Sequence, residues 1–452
     1  MDSKRSSFTG KIGFVLAAAG SAVGLGNIWR FPYLAAKYGG GIFLLVYIAL
    51  SVTFGFALMI AEITIGRKTK LSAISAYSSL DKRFSFVGVL GALVPAIILP
   101  YYSVIGGWVM KYMFGFAIGQ TNAMAQDGYF GDYLGIVGEP IFWFLLFIGI
   151  TAVIVMLGVE KGIEKVSKVM MPILIGLIIL IVIYTIATMD GAIDGVIYYF
   201  KPDFSKFSIM TVVAAMGQLF YSMSLSMGIM ITFGSYMKQN ISIEKSVKQI
   251  EIFDTGVAFL AGLMIVPAVF AFSGGDEAAL GQGPGLMFVT LPKIFDTMPG
   301  GSFIGAAFFI MVFFAALTSS ISLMETVVSI FMDKLKLKRI PSTLIVLGIS
   351  LVLGLVSSLG YSAWANVKVI GMQFLDFFDF ISNSLLMPIV ALATSIFVGF
   401  VLKPKAIIEE VELSEKFKFK KLFTVVIRYV APVCILTILV SSILTAFGIV
   451  SI

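Results

Sequence analysis

Eleven apolar runs follow one another along the chain, near residues 10–36, 40–66, 86–119, 140–158, 166–188, 209–236, 247–272, 300–331, 341–359, 369–402 and 422–450. An α-helix needs roughly 20 apolar residues to cross the hydrocarbon core of a bilayer. No water inside lipid meets an unpaired N–H or C=O, so a spanning segment must satisfy its own backbone, as a helix does. Charged residues make up 13% of the chain, against about 25% in soluble domains, and they fall mainly in the short loops. The expectation is an all-α polytopic membrane protein with eleven transmembrane helices.

The basic residues orient the bundle. With a cytoplasmic N-terminus, the inner side holds 25 of the 32 Lys and Arg, the outer side holds six (Lys37, Lys111, Lys201, Lys206, Lys293 and Lys368), and Arg30 falls within a helix. The positive-inside rule then puts the N-terminus in the cytoplasm and, after an odd number of spans, the short C-terminus outside the plasma membrane. Topology thereby accounts for the formal net charge of +7, and no nucleic-acid partner is expected. No cleavable signal peptide is expected either, because the first run lacks a small-residue cleavage site and continues into Arg30 and Pro32. The chain has no His and one Cys, Cys434. That removes His-metal sites, Ser-His and Cys-His pairs and His proton relays, and it excludes an intrachain disulfide or a zinc cluster. An enzyme would need a nucleophile–base pair or a metal cluster facing a cavity, and the sequence offers neither.

Two runs are interrupted at comparable places in the two halves. In the first, Gly20, Gly24 and Gly26 fall within seven residues and lead into Asn27-Ile28-Trp29-Arg30-Phe31-Pro32; in the sixth, Ser222, Ser224, Ser226 and Gly228 sit in the middle of an apolar span. Small residues at this spacing also serve close helix packing, and spacing alone leaves the two readings open. Asn27 and Arg30 favour a break, because an amide or a charge at that depth is costly unless it faces water or a partner. Paired interruptions in corresponding halves point to a carrier site. Half-helix N-termini present free N–H groups and a partial positive charge suited to a carboxylate. Unwound carbonyls suit a small hard cation, so an amino-acid zwitterion beside Na⁺ matches both.

The stretch Gly13 to Tyr33, with Gly24-Leu25-Gly26-Asn27-Ile28-Trp29-Arg30-Phe31-Pro32 at its centre and Gly39-Gly40-Gly41 after it, resembles the first-helix signature of the neurotransmitter:sodium symporter family. The similarity covers nearly the whole chain and is nearest to bacterial amino-acid members with eleven helices. It implies a leucine-transporter-like fold with helices 1 and 6 unwound mid-membrane. Helices 1–5 (residues 1–188) and 6–10 (205–402) would form a 5+5 inverted repeat, with helix 11 (403–452) outside it. The implied chemistry is sodium-coupled import of a neutral, apolar or aromatic amino acid by alternating access, with two Na⁺ ions. A proton-coupled or exchange-type amino-acid carrier on the same fold is the alternative, and a channel would show unsaturable flux without sodium.

The resemblance also implies residues. A first sodium site would draw on the Ala22 carbonyl, Asn27, Ser222 and Asp254; animal members carry Asn at the last position and need chloride, so a fixed carboxylate implies chloride independence. Read without the family, Asp254 is a helix-end charge. A second sodium site would use the carbonyls of Gly20, Val23 and Ala315 and the hydroxyls of Thr318 and Ser319, although hydroxyls in a helix usually bond back to their own carbonyls. The substrate would meet Ala22, Gly24 and Gly26 of the first break, the Tyr102 hydroxyl, and the sixth-helix break at Tyr221 and Ser222. Ile98, Ser224, Ser226, Met227, Ser319 and Leu323 would complete the pocket. Ser226 stands where the family commonly has Gly, and Met227 where it often has Phe, so Ser226 is expected to trim the pocket or add a hydroxyl and Met227 to reshape it. Arg30 and Asp379 resemble the outer gate, and Arg5 and Asp333 the cytoplasmic one, with Tyr236 packed nearby. Glu62 reads as a buried acceptor beside the first break, with a proton-carrying role as the other reading. The Gly-rich 273–299 connection is either a lid over the outer vestibule or an ordinary surface loop, and the resemblance favours a lid.

Overall fold

The computed structural model describes residues 6–275 and 283–446. Arg5 and residues 276–282 of the expected lid lie outside that description. Among the described residues the chain is helical, without a strand. Nine helices are long and apolar enough to cross a membrane: α3 (Gly41–Thr69), α4 (Lys82–Ala117), α5 (Gly138–Met156), α6 (Val159–Thr188), α9 (Ile243–Ser273), α10 (Gly301–Leu335), α11 (Arg339–Leu359), α12 (Phe374–Val401) and α13 (Lys420–Thr445). A tenth span is the pair α1 (Lys11–Ala22) and α2 (Gly26–Lys37), bent by 57° at their junction. The eleventh expected span corresponds to α7 (Ile209–Ser222) and α8 (Ile229–Tyr236), of 14 and 8 residues, each too short to cross alone.

Both interruptions have local causes. At the end of α1, Val23 turns to extended backbone (ψ 103°). The freed Gly24 N–H is caught by the Asn27 Oδ1 at 3.0 Å, and the Asn27 N–H donates back to the Gly24 carbonyl at 3.2 Å, so side chain and backbone of Asn27 together close the turn. Between α7 and α8, Ser224 (φ 52°), Ser226 (φ 62°) and Gly228 (φ 70°) all take left-handed backbone. That conformation costs an L-residue on the order of 1–2 kcal/mol, so neighbours must hold the two serines there. Ser224 Oγ donates to the Ser21 carbonyl at 2.9 Å, and the Ser226 N–H donates to Glu62 Oε1 at 2.7 Å. Each break is therefore braced by the other or by α3.

Elsewhere glycine permits close approach. α3 and α8 lie backbone to backbone: a Cβ on Gly66 would fall 2.9 Å from the Ser235 nitrogen, and one on Gly234 2.9 Å from the Ile63 Cα. α4 and α10 pack along each other, while α1 rests on α6, α9 and α10.

The two ends of the bundle differ. At the end rich in Lys and Arg, Phe8 is buried against Phe14, Phe233 and Tyr236. Thr9 N–H donates to Glu164 Oε2 at 2.8 Å, and Lys238 Nζ donates to the Thr9 carbonyl at 3.0 Å. Tyr236 was expected beside an Arg5–Asp333 pair. Arg5 lies outside the described residues; the Tyr236 hydroxyl donates to Glu325 Oε1 at 2.6 Å, and the same oxygen accepts from Arg339 at 3.0 Å. Glu325 is fully buried, so removing it strands a buried guanidinium, at a cost of about 3–5 kcal/mol. Glu325→Ala should accordingly lower the thermal midpoint of the purified protein markedly, and Glu325→Ala with Arg339→Leu should recover most of the loss. Equal midpoints for the single and double variants would show that the pair does not hold this end shut.

Candidate functional site

The two breaks face each other across a tight cavity of about 30 Å³. α1 and the turn after it supply Ser21, Ala22, Gly24, Leu25, Gly26 and Asn27. α4 supplies Ile98 and Tyr102, the α7–α8 segment supplies Tyr221, Ser222, Ser224, Met227 and Ile229, and α10 supplies Ser319 and Leu323. All the substrate residues expected from the sequence line it except Ser226. The hydroxyl of Ser226 turns to Glu62 Oε1 at 3.3 Å, so this residue braces the break and does not trim the pocket. Ser21, Leu25 and Ile229 line the cavity and were not expected to; each is an apolar or small residue that sequence alone cannot tell from helix packing.

One buried polar atom on the cavity wall has no partner: the Tyr102 hydroxyl. A Cβ on Gly24 would lie 3.3 Å from it and 3.0 Å from Ser319 Oγ, so Tyr102, Ser319 and the bare backbone at Gly24 surround one small space. A donor left unsatisfied in such a place suits an anionic oxygen brought by a ligand. Tyr102→Phe should weaken ligand binding about 10- to 100-fold, the worth of one hydrogen bond to a charged group, while leaving the thermal midpoint of the ligand-free protein unchanged. Equal binding by the variant would detach the hydroxyl from recognition.

Beside the cavity lies a compact polar cluster. Asn27 Nδ2 donates to Ser222 Oγ at 2.9 Å and to Asp254 Oδ1 at 2.8 Å, and Ser222 Oγ donates to Asp254 Oδ1 at 2.7 Å. Tyr47 Oη reaches Asp254 Oδ2 at 3.4 Å; this residue was missed in the sequence, where it looked like one more aromatic on an apolar helix. Asp254 is fully buried, far from a helix end, so the helix-end reading falls. The Asp254 carboxylate, the Ser222 hydroxyl and nearby carbonyls offer oxygens to a hard cation, while Asn27 meets them with its Nδ2 and gives its Oδ1 to the Gly24 N–H. Among the described residues no group of three or more Asp, Glu or Cys side chains could hold a metal ion, which leaves no alternative ligand cluster there.

The second expected cation site is drawn together as well. Ser319 Oγ lies 3.4 Å from the Gly20 carbonyl, 3.2 Å from that of Ser21 and 3.3 Å from that of Val23. Thr318 Oγ1 bonds back to the carbonyls of Phe314 at 2.9 Å and Ala315 at 3.2 Å, the ordinary behaviour of a helical hydroxyl. It still places its oxygen next to Ala315, one of the expected carbonyls.

Tyr221 separates this cavity from a wider vestibule of about 740 Å³ at the end opposite Phe8, lined by Trp29, Arg30, Asp376, Asp379 and Asn383 among others. Arg30 is exposed, with its guanidinium 6.0 Å from the centre of the Tyr221 ring. Asp379 accepts from Tyr101 Oη at 3.0 Å and from Asn383 Nδ2 at 2.6 Å. The two expected gate residues share the vestibule, and no ion pair joins them among the described residues. Asp333 at the other end accepts the Ser72 N–H at 2.6 Å.

Comparison with known proteins agrees with these features. The sequence profile of the Sodium:neurotransmitter symporter family matches residues 5–125 and 129–449. The sodium-dependent transporter YhdH of Bacillus subtilis (strain 168) is 34% identical over 446 residues, covering 97% of both chains. A sodium-dependent transporter of Haemophilus influenzae is 32% identical, covering 97% of this chain and 98% of its own. The crystal structure of MhsT in complex with L-phenylalanine superposes with a TM-score of 0.87 at 36% identity, covering 97% of this chain and all of that one.

Proposed function

The chain belongs to the sodium:neurotransmitter symporter family, hence is a sodium-dependent multi-pass membrane transporter and not an enzyme, and on that premise we propose that it imports a neutral, apolar or aromatic amino acid by sodium-coupled alternating access without chloride. The observation that carries the reading is the cavity between the two breaks. Its unpartnered Tyr102 hydroxyl stands over the bare backbone at Gly24, and the Asn27–Ser222–Asp254 cluster lies beside it.

In this reading the substrate carboxylate meets Tyr102 and the N–H groups of the first break. The ammonium meets carbonyls near Tyr221 and Ser222, and the side chain lies among Ile98, Met227, Ile229 and Leu323. Those walls are apolar, which supports a hydrophobic substrate, as does the L-phenylalanine bound by MhsT. Two sodium ions travel with it. One is held by Asn27, Ser222, Asp254 and the Ala22 carbonyl, and the other by Thr318, Ser319 and the carbonyls of Gly20, Val23 and Ala315. The Asp254 carboxylate supplies the negative charge that a diffusible anion would otherwise bring, hence the independence from chloride.

Transport follows from which end is open. The vestibule at Arg30 and Asp379 admits the cargo, and closure draws those two residues over Tyr221. The segments α1–α3 and α7–α9 then rock against the rest, and the Phe8, Glu325 and Asp333 contacts give way. Individually weak water-facing ion pairs suit gates that open every cycle. Sodium drives the cycle only to the extent that it binds the substrate-loaded states more tightly. Residues 1–188 and 205–402 form the two inverted repeats, each opening on a broken span, with 403–452 outside them; the N-terminus is cytoplasmic.

The test is binding of radiolabelled L-phenylalanine to the purified protein in Na⁺ and in K⁺, with the other amino acids as competitors. Saturable binding in Na⁺ alone is expected, with apolar and aromatic competitors most effective. Binding indifferent to Na⁺ and driven by pH would replace the coupling ion by a proton and leave the fold intact.

A further inference from the structure

A second groove lies on the outer flank of α3 and α9, separate from the central cavity and lined by none of its residues. It is walled by Ile48, Val52 and Phe56 of α3, Ile252 and Gly256 of α9, and Phe419, around a volume of about 460 Å³. Ile252 is 71% exposed and Val52 52%, so the groove opens sideways to where lipid would lie. A purely apolar cleft there would be filled by any acyl chain. This one is not purely apolar. Glu251 lines it and is only 6% exposed, and its Oε1 has no hydrogen-bond partner. Asp254, one turn further along the same helix, has its carboxylate bound by Asn27, Ser222 and Tyr47. A buried carboxylate oxygen without a donor is costly in a protein, and the groove is where a donor can come from. One turn in the other direction, at the mouth, Lys248 Nζ sits 4.1 Å from the centre of the Phe419 ring and pairs with Glu244 at 2.6 Å. An ammonium has three N–H donors, so this pair leaves Lys248 able to take a second anion.

We propose that this groove is a binding site for a phospholipid with a primary-ammonium head group, of the phosphatidylethanolamine type, drawn from the leaflet at the basic end of the bundle. The ammonium donates to Glu251, the phosphate meets Lys248, and an acyl chain lies along Ile48, Val52, Phe56 and Ile252. The two-carbon ethanolamine link suits the spacing, since side chains three apart on a helix are about 5–6 Å from one another. A choline head group carries the same charge but no N–H, so it cannot satisfy the carboxylate.

The experiment is native mass spectrometry of the purified full chain after incubation with equal amounts of phosphatidylethanolamine, phosphatidylcholine and phosphatidylglycerol of identical acyl chains. The unmodified protein should retain the ethanolamine lipid about tenfold or more over the other two, the worth of a hydrogen bond to a charged group. Glu251→Leu should bring the three to near equality. Gly256→Leu places a side chain where a Cβ meets nothing within 4 Å; it should fill the groove and lose the retained lipid, with the thermal midpoint reporting that the fold is kept. Equal retention of all three lipids by the unmodified protein, a preference for phosphatidylglycerol, or an undiminished ethanolamine preference in Glu251→Leu would overturn the assignment.

Discussion

Replacing Asp254 with Ala is expected to abolish sodium-dependent amino-acid binding. The carboxylate is the one formal charge in the cluster formed with Asn27, Ser222 and Tyr47. Without it only neutral oxygens remain to receive a cation in a site shut off from water. Stranding a charge in the interior costs about 3–5 kcal/mol, which corresponds to a rise of roughly 100- to 4000-fold in the Na⁺ concentration needed for half-maximal binding. The measurement is equilibrium binding of labelled L-phenylalanine over a range of Na⁺ at constant ionic strength. Asp254→Asn keeps the shape of the side chain and removes the charge, so its binding should recover when chloride is supplied and fail in gluconate. Full sodium-dependent binding by Asp254→Ala would sink the first cation site. Recovery of Asp254→Asn without chloride would sink the explanation of chloride independence while leaving that site standing.

Gly24→Ala is the second large effect. The added methyl would lie 3.0 Å from Ser319 Oγ and 3.3 Å from the Tyr102 hydroxyl, in the space assigned to the substrate carboxylate. The variant loses the charge-assisted hydrogen bond and adds the cost of overpacking, about 1–3 kcal/mol each. Together they predict a loss of roughly 100-fold or more in amino-acid affinity. Gly217→Ala is the control, because its methyl would meet only an Arg30 nitrogen at 4.0 Å. A Gly24→Ala protein that binds as well as the Gly217→Ala protein would show that the carboxylate sits elsewhere.

Much of the site was legible because polar residues in an apolar span have so few explanations. Asn27 and the glycines around residue 24 stand out against their surroundings, whereas Asp254 read as a helix-end charge until the family resemblance pointed to it, and the structure draws Asn27 and Asp254 together. The spans were legible for the same reason. What the sequence hid was partnership. Ser226 read as a pocket residue because it stands where the family commonly has Gly; its partner Glu62 is 164 residues away. The bond from Tyr236 to Glu325, 89 residues on, gave no signal either, since Glu325 sits in a helix whose other polar residues look equally plausible. Tyr47 gave no signal at all, since aromatics are common on membrane helices and only its aim at Asp254 sets it apart. The span count shows a related limit. The 209–236 run is continuous in hydropathy, and only its small residues from Ser222 to Gly228 mark where the fold divides it into α7 and α8.

The bracing of the breaks by distant residues also fixes an order of assembly. The turn after α1 is closed locally by Asn27, but that side chain is then held by Asp254, 227 residues later, and Ser319 reaches the Gly20 carbonyl from 299 residues later. A ribosome makes the first break long before it makes anything that steadies it. Through most of synthesis the membrane-insertion machinery must therefore shelter a nicked, amide-bearing helix that is poorly suited to lipid. Chains cut short before α9 would leave that helix permanently unmated, and such fragments are natural targets for membrane quality control.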